Sequence, residues 1–144
     1  MRRILVLNGP NLSRLGTREP EIYGTVSWGE LSADLESLSS TVAEIVVRQT
    51  NSESEFIEWL HEAIDTTSDV VINPAAFTHY SYAIRDAVAM VTESGSTVIE
   101  VHISNPHSRE EFRHKSVISG VATGVIAGFG VESYRLALVA LGVK

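Results

Sequence analysis

The stretch Leu5-Val6-Leu7-Asn8-Gly9-Pro10-Asn11-Leu12 decides how the rest of the chain is read. Ile4 to Leu7 form a short apolar, partly β-branched run that stops abruptly at turn residues, the mark of a buried strand. Asn8-Gly9-Pro10-Asn11 then breaks regular structure, because glycine tolerates positive φ and proline fixes its own φ and lacks a donor. From there to Tyr23-Gly24, and on to the next helical pattern, roughly twenty residues pass as a loop. Loops that long inside a compact domain are usually functional or disordered. This one carries Asn11, Arg14, Arg18 and Tyr23, a set of polar and cationic groups suited to holding an anion. A solvated surface loop is the plainer alternative, and the remainder of the chain decides against it.

Beyond this segment, strand and helix patterns alternate. Ser27 with Glu30 three residues on makes a capping-box signature, followed by Leu31, Leu35, Leu38 and Val42 at helical spacing. Ile45 to Val47 form a second short strand. Ser52 and Glu55 repeat the capping pattern ahead of Phe56, Leu60 and Ile64. Val70 to Ile72 read as a strand ending at Asn73-Pro74. Residues 78–91 read as a helix with Ala83, Ala87 and Val91 on one face, stopped by Ser94-Gly95. Thr97 to Ile103 give a fourth strand with its break at Ser104-Asn105-Pro106, and a short helical segment is expected around Arg109 to Arg113. Gly124 to Ala127 give a fifth strand, and Val131 to Leu141 a last helix.

Five short apolar strands separated by helices imply a parallel sheet covered on both faces. Right-handed crossovers make this a doubly wound three-layer α/β sandwich, with residues 1–144 as a single domain. Ligands in such folds sit beyond the carboxyl ends of the strands, where strand order reverses. Asn8 and Asn11 follow the first strand, Asn73 and His79 the third, and His102 to Ser104 end the fourth. These polar residues converge on one edge of the sheet.

Composition excludes several chemistries. A formal charge of −7 argues against nucleic acid and membrane surfaces as partners. There are no cysteines, which removes thiol catalysis, disulfides and cysteine-ligated zinc. No apolar run approaches the ~20 residues of a membrane span, and no signal-peptide core is evident, so a cytoplasmic protein is the expectation. Lys115 and Lys144 are the only lysines, leaving few candidates for an imine. Neither a dinucleotide-binding glycine motif after the first strand nor a P-loop occurs. The glycines from Gly124 to Gly130 are explained more simply by packing or a turn.

Glu100 and His102 alternate onto one face of a strand. Such a pair is more often hydrogen-bonded than metal-binding. A carboxylate beside an imidazole favours the charged ring and fixes its tautomer, so His102 is a candidate general acid with Glu100 as its orienter. The bland reading is a histidine that merely happens to meet a carboxylate. His61 reads as a solvated helix residue, and His107 and His114 have no local support.

Taken together, Asn8-Gly9-Pro10-Asn11 through Arg18 and Tyr23-Gly24, Asn73-Pro74-Ala75-Ala76, Thr78-His79, Arg85-Asp86-Ala87, Glu100-Val101-His102-Ile103-Ser104-Asn105 and Phe112-Arg113-His114 closely resemble one family, the type II 3-dehydroquinate dehydratases. The resemblance spans essentially the whole chain, in order and in spacing. Two departures stand out: Ala75-Ala76 occupy positions where the family often has a glycine, and Lys115 follows His114 where it often has a second histidine. The resemblance implies a flavodoxin-like fold, a dodecamer of trimers, and loss of water from 3-dehydroquinate to give 3-dehydroshikimate in the shikimate or quinate pathway, with no cofactor and no imine. It makes Tyr23 the base that removes the proton beside the ketone, Arg18 the cation that stabilises the tyrosinate, Asn11 the holder of a water near the enolate, and His102 the acid for the departing hydroxyl. Asn73, His79, Ile103, Ser104 and Arg113 correspond to substrate-binding positions, and Asp86 to a residue reaching a neighbouring subunit's site.

The chemistry is consistent with those roles. A phenol ionises near pH 10, so using one as a base near neutrality takes about 4 kcal/mol, which a nearby guanidinium is suited to supply. Arg18, and Arg14 as a second cation, share the segment with Tyr23. Arg113 and the backbone amides at Ile103-Ser104 are candidate holders of a carboxylate. Two alternatives use the same strand ends: a flavodoxin-like small-ligand binding module, and an inactive homologue of an enzyme. The first leaves the long Arg-bearing segment with Tyr23 poorly explained.

Overall fold

The computed structural model describes residues 1–17 and 19–143. β1 (Arg2–Asn8), β2 (Ala43–Gln49), β3 (Asp69–Asn73), β4 (Val98–His102) and β5 (Gly124–Ala127) pair in the order β2-β1-β3-β4-β5, every pair parallel. This is the flavodoxin-like order, with its reversal between β1 and β3. The expected doubly wound sandwich is what the chain adopts.

Strand alternation divides the core. Ile4, Val6, Ile45, Val71, Ile99 and Val101 face helices α2 (Trp28–Glu36) and α5 (Glu132–Ala140), meeting Leu31, Leu35, Ala137 and Leu138. Leu5, Leu7, Val70, Ile72 and Val98 face α3 (Glu53–Asp65) and α4 (Tyr82–Glu93), meeting Phe56, Leu60, Ile84 and Val88. Ile4 to Leu7 are fully buried because β1 lies inside the sheet and is covered on both faces.

Local differences from the sequence reading have physical causes. Ser27 and Ser52 do cap α2 and α3, accepting from the backbone N–H groups of Glu30 and Glu55. Val42, however, lies beyond the end of α2 and is exposed. α4 starts at Tyr82, not Thr78, because the Ser81 hydroxyl caps it by accepting from Ile84 N–H. Residues Ala75–His79 form a separate 3-10 turn instead. The buried face of α4 is Ile84, Ala87, Val88 and Val91, with Ala83 exposed. The segment after β1 is not a bare loop either: it holds a 3-10 turn at Leu12–Arg14 and one short helix, α1 (Pro20–Tyr23). The short helical segment expected around Arg109 to Arg113 is present as a 3-10 turn at Glu111–His114, with another at Pro106–Ser108 before it. No helix among the described residues is long and apolar enough to cross a membrane.

Gly9 is required for a different reason from the one its turn suggested. A Cβ there would sit 2.3 Å from the carbonyl oxygen of Pro74, so the exits of β1 and β3 approach closely only with glycine. At these two strand exits the left-handed positions are Asn11 (φ 72°) and Ala75 (φ 52°).

Candidate active site

The strand rows that build the two cores also deliver the site's polar groups. Asn8 continues the Ile4–Val6 row and Asn73 the Val71 row, and the two residues are register partners across β1 and β3. Both amides therefore emerge on the α5 side, where Tyr134 meets them. The Tyr134 hydroxyl donates to Asn8 Oδ1 (2.6 Å) and accepts from Asn73 Nδ2 (2.8 Å). Asn8 Nδ2 donates to the Arg48 carbonyl, and Asn73 Oδ1 accepts from Ala75 N–H. Asn8, Asn73 and Tyr134 are buried, and burial pushes the Tyr134 phenol well above its usual range, so this network is neutral.

Glu100 and His102 continue the Val98 row on the opposite, α4 side. Glu100 is fully buried, and its Oε2 lies 2.5 Å from His102 Nε2. Thr78 and Ser119 hydroxyls donate to the same carboxylate, each at 2.5 Å, with Ser116 3.2 Å away. Burial opposes ionisation of Glu100, but hydrogen bonds from His102, Ser119 and Thr78, with the His102 charge, outweigh it and hold the carboxyl below its ordinary range. With Nε2 committed to Glu100, Nδ1 is the ring nitrogen of His102 left for a ligand. Burial also lowers His79, despite the bond between its Nδ1 and the Lys115 carbonyl.

The two networks border one cleft of about 600 Å³, mouth included, at the carboxyl ends of β1, β3 and β4. Its lining contains Asn11, Tyr23, Asn73, His79, His102, Ile103, Ser104 and Arg113, so most of the residues named from sequence are brought together here. Glu100 lies behind His102. Arg18 lies outside the described residues. Arg14 is exposed on the 3-10 turn after β1. Asp86 stands apart: it is exposed on α4, with Oδ1 3.3 Å from the Arg85 guanidinium.

Sequence reasoning missed four contributors. Arg109 places its guanidinium 5.1 Å from the centre of the Tyr23 ring and donates to Ser104 Oγ (3.1 Å), which puts a cation against the phenol. Tyr134 reads as an ordinary core aromatic, in step with Ala137, Leu138 and Leu141. Ser116 and Ser119 lie in an irregular stretch without periodicity. The available signal was indirect: a glutamate in an apolar strand row must be met by donors from somewhere. No group of three or more metal-ligand side chains occurs among the described residues.

Fold and cleft together define a flavodoxin-like α/β protein with a cleft at its strand ends, lined by a histidine that a buried carboxylate backs, a tyrosine and arginines, a set of groups suited to acid–base chemistry. A family model described as dehydroquinase class II matches residues 2–142. The chain is 55% identical over 137 residues to the 3-dehydroquinate dehydratase of Salinispora tropica, covering 94% of each sequence. It is 52% identical over 139 residues to that of Bacillus licheniformis, covering 96% of this chain and 94% of the relative. The crystal structure of type II dehydroquinase from Propionibacterium acnes superposes with a TM-score of 0.93 at 50% identity, over 100% of this chain and 98% of that one. The chain belongs to the class II dehydroquinase family.

Proposed function

We propose that this chain dehydrates 3-dehydroquinate to 3-dehydroshikimate by proton abstraction followed by acid-assisted loss of the hydroxyl as water. The observation that carries the reading is the pairing, across one cleft, of a tyrosine backed by a guanidinium with a histidine held by a buried carboxylate. Tyr23, as tyrosinate, takes the proton beside the ketone, and the resulting enolate is met by a water held at Asn11. Arg18 and Arg109 supply positive charge to the phenolate oxygen. His102 delivers its Nδ1 proton to the departing hydroxyl, with Glu100 balancing the ring's charge. Asn73, His79, Ser104, the Ile103 backbone and Arg113 hold the hydroxyls and carboxylate. Nothing in this sequence of proton transfers needs an imine or a cofactor.

The assembly belongs to the same proposal. Asp86 is exposed on α4 beside exposed Tyr82 and Met90, an apolar surface with a carboxylate that suits a subunit contact. A dodecamer of trimers would carry Asp86 to the neighbouring cleft, and a cytoplasmic enzyme of aromatic biosynthesis is the setting we assign. Mixing Asp86→Ala with Tyr23→Phe under subunit exchange restores activity above the sum of the two if sites are shared. Strict additivity despite exchange refutes sharing.

Adding 3-dehydroquinate to the purified protein and following the ultraviolet absorbance of the conjugated enone tests the activity. The absorbance rises if the proposal holds, and a flat trace at high enzyme concentration refutes it. A yellow preparation or stabilisation by nucleotides would favour a binding module instead.

A further inference from the structure

Around Glu100 the hydroxyl protons can be assigned one by one. Thr78 Oγ1 lies 2.5 Å from Oε2 and Ser119 Oγ 2.5 Å from Oε1. The Ser116 oxygen already accepts two backbone N–H groups, from Ile118 (3.1 Å) and Ser119 (3.0 Å). Its single proton has a close acceptor in Thr78 Oγ1 (2.7 Å) and a more distant one in the carboxylate (3.2 Å). The arrangement closes when Ser116 donates to Thr78, Thr78 and Ser119 donate to Glu100, and His102 Nε2–H donates to Oε2. Every hydroxyl proton then has an acceptor. A proton on Glu100 would displace one of these donors, inside a site where Glu100 and Thr78 are essentially inaccessible to water.

We propose that Thr78, Ser116 and Ser119 are positioning residues that keep the proton of the Glu100–His102 contact on His102 Nε2, so that Nδ1 always faces the cleft as the group that carries the catalytic proton. The inference rests on the functional reading above for its catalytic meaning, but its geometric content stands without it. The three hydroxyls touch no part of the cleft's reacting volume directly: Thr78 comes from the turn after β3, Ser116 and Ser119 from the stretch after the Glu111–His114 turn. Other titratable or charged groups facing this region are His79 from the Ala75–His79 turn, Arg113 and His114 from the Glu111–His114 turn, and His107 from the Pro106–Ser108 turn. Burial lowers His79 below the ordinary histidine range, and its Nδ1 is bonded to the Lys115 carbonyl rather than to Glu100.

The test uses the full chain with 15N-labelled histidine, the His102 signals being assigned by their loss in His102→Gln. In the natural chain, Nε2 is expected to carry its proton from mildly acid to alkaline pH. In Ser119→Ala, and separately in Thr78→Val, the proton shifts partly to Glu100, seen as unprotonated character at Nε2 near neutral pH, and the acid limb of kcat moves up by about one pH unit. Thr78→Ser restores both signatures, which a merely space-filling role would not require. Nε2 resonances and acid limb unchanged in both hydroxyl-deleting variants would overturn the proposal, whether or not the enzyme reading stands. A chain without turnover that still shows the Nε2 shift would uphold the proton assignment and overturn the catalytic reading alone.

Discussion

Two buried polar networks flank the same sheet, and they are built oppositely. On the α5 side, Asn8, Tyr134 and Asn73 are all neutral, and each group is satisfied by another that never ionises near neutral pH. On the α4 side, a buried carboxylate, Glu100, faces His102, with three hydroxyls nearby that help hold it ionised despite full burial. The difference teaches where a fold can place proton chemistry. A neutral network gives a rigid floor against which a ligand is held. A charged network is costly to bury, about several kcal/mol per ion before its partners are counted, and is kept where a proton must move.

Breaking the charged side should have the largest effect. Glu100→Gln removes the charge that balances His102 and places two amide protons among hydroxyl donors. We expect kcat to fall by about 10²-fold or more and urea unfolding to report a loss of about 3–5 kcal/mol. Breaking the neutral side with Tyr134→Phe leaves Asn8 and Asn73 each short of a partner. That should cost about 2 kcal/mol and raise KM more than it lowers kcat, since Asn73 is a floor residue. Equal losses of kcat in the two variants would erase the distinction.

Acid and alkali should separate the networks. Glu100 is lowered in the fold, so its contribution is complete above its ordinary value of 4.5 and is lost as pH falls through the folded value. Tyr134 is raised, so its contribution is complete below the ordinary 10.0 and is lost as pH climbs towards the folded value. Denaturant unfolding at a series of pH values should therefore show a flatter acid slope in Glu100→Gln and a flatter alkaline slope in Tyr134→Phe. The smallest effect concerns the turn that joins the floor to the cleft. Ala75 holds φ 52°, a region that favours glycine, so Ala75→Gly should stabilise the chain by about 0.5–1 kcal/mol, net of the added freedom of the unfolded state. A loss of thermal stability would show that the alanine side chain contributes packing that outweighs the strain.

Much of this was legible beforehand, for identifiable reasons. Apolar runs such as Leu5-Val6-Leu7 and Val70-Val71-Ile72, ended by Asn8-Gly9-Pro10 and Asn73-Pro74, define buried parallel strands whatever surrounds them. Alternation along β4 placed Glu100 and His102 on one face, and their hydrogen bond follows. The start of α4 was not legible because Phe77-Thr78 continues the apolar spacing of the helix, and the Ser81 cap decides only in three dimensions. Tyr134 and Arg109 were hidden for the same reason: their roles depend on contacts with residues 126 positions away for Tyr134 and across the cleft for Arg109. Gly9 was legible as a turn but not as a steric requirement, since Pro74 is brought against it by β1–β3 pairing.

The central claim is that base and acid sit on different parts of the cleft, Tyr23 at the end of α1 and His102 at the end of β4. Exchange of the substrate's α-proton with deuterated solvent, followed by NMR in Tyr23→Phe and His102→Ala, tests it directly. The account predicts that His102→Ala loses dehydration yet still exchanges the proton, whereas Tyr23→Phe loses both. A Tyr23→Phe protein that exchanges at the natural rate would contradict it.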